Sequence, residues 1–149
     1  MIEMVGLLVL SLLLPSAMGI VVAEPLPLAL DCVRAVLTAR GESIFRVDQE
    51  QGVVTTSFRL VNPEALRRIA VTDREAGRIR WTRGIYQLTI IFSPVDGDGT
   101  RVRVSARVFG AGESSLPLMR PSNMWPLLST GSLESDVLAA LTAHCRANP

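Results

Sequence analysis

Two alternating runs joined by a glycine-rich turn constrain this chain more than any other feature. Tyr86, Leu88, Ile90 and Phe92 alternate with Gln87, Thr89 and Ile91, and Val102, Val104, Ala106 and Val108 alternate with Arg101, Arg103, Ser105 and Arg107. Successive residues of a strand point to opposite faces, so each run has an apolar side and a mainly polar side. Between them stands Pro94-Val95-Asp96-Gly97-Asp98-Gly99, whose glycines and aspartates favour a tight reversal. The two runs therefore form an antiparallel hairpin with one buried face and one wet face. A hairpin alone is marginal in water, so the rest of the chain has to cover the buried face.

The flanking segments supply that cover. Leu30, Val33, Val36 and Leu37 share one side of a helix expected over Pro27–Arg40 and stopped by Gly41. Ser43–Val47 reads as a short strand, Asp48 to Gly52 as a turn, and Val53–Val61 as a second strand rich in Val and Thr. Asn62 to Gly77 is polar and irregular, with Pro63 able to start a helical turn. Gly110 to Leu128, holding Pro117, Pro121 and Pro126, reads as a loop. Ser132 is expected to cap a last helix that buries Leu133, Val137, Leu138 and Leu141, with Asp136 near its positive end. The order predicts an α+β domain: a four-stranded antiparallel sheet with N- and C-terminal helices packed on one face.

The N-terminus has a different character. Seventeen of the first 23 residues are apolar, and Met4 to Ala23 carries no charge. Val5 to Leu14, broken by Pro15, resembles the apolar core of a secretory signal, with candidate cuts after Gly19 and after Ala23, the latter preferred. The expectation is a signal peptide over residues 1–23 and a single domain over 24–149, exported to the periplasm or the extracellular space. The alternative is a retained anchor, since 20 helical residues span roughly the 30 Å of a hydrocarbon core; membrane contact is expected only in that case. Without Glu3, the 15 arginines face 13 acids, a net charge of +2. So even a balance excludes a strongly basic nucleic-acid binder.

The element order, together with GIYQLTIIFSPVDGDGTRVRVSARV followed by MWPLLSTGSLESDVLAAL, resembles the helix-grip modules of bacterial envelope proteins of the BamC type. The resemblance covers Leu28 to Cys145 and includes the run from Trp125 through Ser129 and Gly131 to Glu134. It implies a non-enzymatic accessory or scaffold role in the cell envelope. No cysteine stands just after either candidate cut, Cys32 being too far downstream, so lipid attachment at a mature N-terminus is not part of that implication.

Cys32 lies on the first helix and Cys145 on the last. Two helices side by side on one sheet face, in an oxidising compartment, bring the pair into reach of a structural disulfide. His144 adjoins Cys145, but neighbours on a helix point about 100° apart and do not share a ligand site. Asp96 and Asp98 resemble the start of a calcium loop, yet the twelfth position from Asp96 is Arg107 where a glutamate is needed. No metal and no cofactor is expected. Glu134 and Asp136 do not face each other, and Trp81 and Trp125 read as loop anchors. No nucleophile stands beside a base, so the chain is read as not an enzyme.

One charged feature remains. Arg101, Arg103 and Arg107 share a side of their strand by even spacing, and Arg59, in phase with Thr55 and Ser57, is expected on the same outer face, with Arg46 nearby. These residues predict a non-catalytic envelope domain whose sheet face binds a partner protein or an anionic envelope component. The alternative is a carrier that holds a small apolar ligand between sheet and helix.

Overall fold

A computed structural model describes residues 19–72, 79–114, 124–145 and 147–148. The hairpin is its spine. Strands β5 (Ile79–Pro94) and β6 (Thr100–Ser114) pair antiparallel from Ile79 opposite Ser114 to Pro94 opposite Thr100, with one irregularity between Trp81 and Arg83. Val95 to Gly99 make the reversal, in which Val95 N–H donates to Gly99 O at 3.3 Å and Gly97 takes a positive φ of 89°.

At about 3.4 Å per residue the ribbon is roughly 50 Å long, and each edge takes different partners at its two ends. Beside β5, β3 (Val53–Thr56) pairs near the turn and β4 (Arg59–Val61) near the far end; β2 (Ile44–Asp48) adds outside β3. Beside β6, β1 (Gly19–Val22) pairs near the turn and β7 (Trp125–Leu127) near the far end, with the two-residue β8 (Ala147–Asn148) outside β1. The sheet is antiparallel throughout but has eight strands among the described residues, not four. Two of the extra strands come from segments expected to be leader and loop. A third arises because Val53–Val61, expected as one strand, breaks at Ser57 and Phe58.

The helices are α1 (Leu26–Ala39), α2 (Pro63–Ile69) and α3 (Ser132–His144). The chain leaves α1 through Gly41, at φ 82°. Asn62 starts α2, its Oδ1 accepting from Ala65 N–H at 2.8 Å. Ser132 does not cap α3: Gly131 stands at the cap with φ 86°, and Ser132 is the first helical residue. A left-handed cap suits glycine, and the nearby hydroxyl of Ser129 accepts from Gly131 N–H at 3.0 Å.

All three helices bury their apolar sides in one core. Val33 and Leu37 of α1, Leu66 of α2, and Val137 and Leu141 of α3 meet Leu88, Ile90, Val102, Val104 and Val108 of the spine. Gly84 lets α2 approach: a Cβ there would stand 2.5 Å from Leu66 Cδ1. Trp81 and Trp125 meet edge to face with ring centroids 6.0 Å apart, tying β7 to the far end of the spine. The terminal helices are joined by a disulfide between Cys32 and Cys145, with Cα atoms 6.0 Å apart.

Four of the five described residues of the expected leader, Gly19–Val22, belong to this sheet. Ile20 and Val22 of β1 are buried, Val22 completely, and Val22 pairs with both Thr100 and Ala147. A cut after Gly19 leaves Ile20 to Val22 in the sheet, whereas a cut after Ala23 removes the strand. Among the described residues no helix is long and apolar enough to cross a membrane.

Candidate functional site

The face of the sheet away from the helices carries most of the expected arginines. Arg101, Arg103 and Arg107 stand opposite Ser93, Ile91 and Gln87, and all three are exposed. Arg46 stands opposite Thr55 on the same face, loosely paired with Asp48 at 3.9 Å. Exposed pairs of this kind contribute little to stability, so these guanidinium groups remain available to a partner.

Arg59 is not among them. Thr55 pairs with Thr89 and Arg59 with Tyr86, so one strand advances four residues while its neighbour advances three. A one-residue slip turns every following side chain to the other face. The break at Ser57 and Phe58 therefore delivers Arg59 to the helix side, beside Tyr86, and puts Leu60 outside instead.

That slip also builds an apolar patch on the outer face. Phe58 meets Phe109 edge to face with ring centroids 6.0 Å apart, and the Arg107 guanidinium carbon lies 5.3 Å from the centre of the Phe109 ring. Leu60 is 71% exposed opposite Ile85; Ile91, 43% exposed beside Arg103, stands apart, six residues along β5 toward the turn. Large apolar groups clustered on a solvent face mark binding surfaces more often than isolated ones do. Ile85, Ile91 and Phe109 interrupt the polar phase of the hairpin, and that interruption was the signal available in the sequence. Phe58 and Leu60 gave none, because their direction depends on the slip.

On the helix side Arg59 joins a cluster with no counterpart in the sequence reading. Glu42 follows α1 and is buried; its Oε1 accepts from Arg59 Nη1 at 3.1 Å and from the Tyr86 hydroxyl. Arg59 Nη1 also donates to Arg40 O at 3.1 Å. Burial, and then hydrogen bonding to the Glu42 carboxylate, push the Tyr86 phenol up to about 12. Tyr86 is the single tyrosine, so phenolate absorbance reports on it alone. In the folded protein the absorbance is expected to rise with a midpoint near 12, against about 10 in urea. The raised folded value means that Tyr86 favours folding fully below pH about 10 and loses that contribution as pH climbs toward 12. A folded-state midpoint near 10 would show that the hydroxyl is not held by Glu42.

The same cluster sets apart the arginines. Arg59→Gln removes the cation from a carboxylate that is 2% exposed and is expected to cost about 1–3 kcal/mol in urea unfolding. Arg101→Gln is expected to change stability by less than about 0.5 kcal/mol. Equal costs at the two positions would contradict the difference in their surroundings.

The other candidate residues have structural surroundings. Both cysteines are in the disulfide, and His144 is exposed at the end of α3. Asp96 and Asp98 are exposed in the hairpin turn. Asp136 is exposed in α3, whereas Glu134 is buried and accepts from Ser129 Oγ at 2.8 Å. Among the described residues no group of three or more His, Cys, Asp or Glu side chains converges on a common point. No protein-family model and no curated protein matches the chain.

Proposed function

We propose that this is a non-catalytic domain of the cell envelope that binds an anionic surface, on a partner protein or on another envelope component, through its open sheet face. The observation that carries the reading is the combination on one face of Arg46, Arg101, Arg103 and Arg107 with the apolar Phe58, Leu60, Ile91 and Phe109. Arginine supplies planar donors that match carboxylate and phosphate oxygens. The adjoining aromatic and aliphatic groups give apolar area that lasts after the charges have steered a partner in. Export is supported by the disulfide, which persists in oxidising compartments. A scaffold role of the kind the helix-grip resemblance implies fits the same reading.

Pull-down from an envelope extract with wild type and with the double variant Arg101→Gln, Arg103→Gln, at low and at physiological salt, tests it. Recovery is expected to fall with the substitutions and with salt, because exposed charges are screened over about 8 Å at physiological ionic strength. Equal recovery with both forms at both salts would leave the face a wetted surface. A carrier that held its apolar ligand in the middle of the core would need space there, and Val33, Leu37, Leu88, Ile90, Val104 and Leu141 fill it.

A further inference from the structure

Beyond the open face, a cavity of about 490 Å³ opens at one end of the core, walled by β4, α2, the C-terminal end of α1 and the first turns of α3. Three guanidinium groups line it: Arg40, Arg59 and Arg68. Among the described residues Asp136 is the single carboxylate in the lining, with Glu42 behind Arg59. Val61, Ala65, Ile69 and Leu133 add an aliphatic stretch of wall beside Asn62 and Tyr86.

The three cations are not equivalent. Arg59 is held in place through Nη1 by Glu42, Arg40 O and Tyr86, which leaves the rest of its planar fork for another acceptor. Arg68 has no ion-pair partner among the described residues. Arg40 Nε is shielded from solvent and has no acceptor, and the neighbouring Glu42 Oε2 is shielded without a donor. A buried donor without a partner is uncommon in folded proteins, and three guanidinium groups around one opening are suited to an incoming oxyanion. Among the described residues, three cations against one carboxylate in the lining and one behind it leave a surplus of one positive charge.

We infer that this cavity binds a small soluble amphiphile, a carboxylate or phosphate monoester joined to a compact apolar body. Its oxyanion lies among Arg40, Arg59 and Arg68, and its apolar part rests against Val61, Ile69 and Leu133. The volume is in the range of small-molecule sites. The site is separate from the arginines of the open face, so either can fail without the other.

Titration calorimetry of the intact protein with hexyl phosphate, hexanoate, inorganic phosphate and hexanol tests the inference. Hexyl phosphate and hexanoate are expected to bind, inorganic phosphate more weakly, and hexanol not measurably. Arg68→Gln, at an exposed position that leaves the core intact, and Arg40→Gln are each expected to weaken hexyl phosphate binding by at least about tenfold. The double variant Arg101→Gln, Arg103→Gln is expected to bind it as wild type does. The inference is overturned if hexanol binds as tightly as the anions, if inorganic phosphate binds as tightly as hexyl phosphate, or if the Arg68 variant is unaffected. It is equally overturned if the open-face variant is impaired, or if anionic vesicles bind while the dissolved probes do not.

Discussion

Reduction of the Cys32–Cys145 bridge is expected to lower the unfolding free energy by about 2–5 kcal/mol, toward the upper end. The two cysteines are 113 residues apart, and in the chain-entropy account a cross-link restricts the unfolded chain more as the closed loop grows. In the folded state the bridge ties α1 to the end of α3, so it holds together the two helices that cover the sheet. With an unfolding slope of about 2 kcal/mol per molar urea, the midpoint is expected to drop by roughly 1–2.5 M. Urea unfolding of wild type with and without reductant, and of Cys32→Ser with Cys145→Ser, measures it. A midpoint unmoved in both comparisons would mean that the helices hold their places without the bond. Thiols freely alkylated in protein isolated without reductant would argue against export as well.

Removing β1 is expected to have an effect at least as large. Burial of an aliphatic side chain of this size contributes about 1.5–3 kcal/mol, so Ile20 and Val22 together account for roughly 3–6 kcal/mol. Loss of the strand also uncovers the β6 edge from Thr100 to Arg103, which β1 pairs along its whole length, and leaves β8 without its neighbour. Against a typical total of about 5–15 kcal/mol, a chain beginning at Glu24 is expected to be largely unfolded or to associate through the bare edge. A chain beginning at Ile20 is expected to fold. Circular dichroism and gel filtration of the two truncations decide this, and N-terminal sequencing of protein taken from the envelope shows which end exists. An N-terminus at Glu24 on a stable, monomeric protein would mean that β1 is dispensable and that the cut after Ala23 is used.

Much of the architecture follows from local pattern. The alternation in Tyr86–Phe92 and Arg101–Val108 suffices for the hairpin and for which of its faces is buried, because a period of two leaves no other way to separate apolar from charged side chains. The 3.6-residue spacing of Leu30, Val33 and Leu37, and of Leu133, Val137 and Leu141, suffices for two helices and, with one apolar sheet face to cover, for their place side by side. The Cys32–Cys145 pairing follows from that placement. Arg101, Arg103 and Arg107 stand where their phase puts them.

What local pattern could not carry was decided by long-range pairing. Gly19–Val22 reads as the tail of an apolar leader until β6 offers it an edge, and Trp125–Leu127 reads as loop until the far end of β6 does the same. The direction of Arg59 depends on one residue of slip beside β5, and neither Ser57 nor Phe58 announces it. That slip moved an arginine from the expected outer stripe to the buried Glu42 and Tyr86, and it put Phe58 and Leu60 in the stripe's neighbourhood. Side-chain direction within a strand is a local property, legible from alternation, whereas register between strands is set by which backbone groups find partners across the sheet. Only the tertiary structure holds that information.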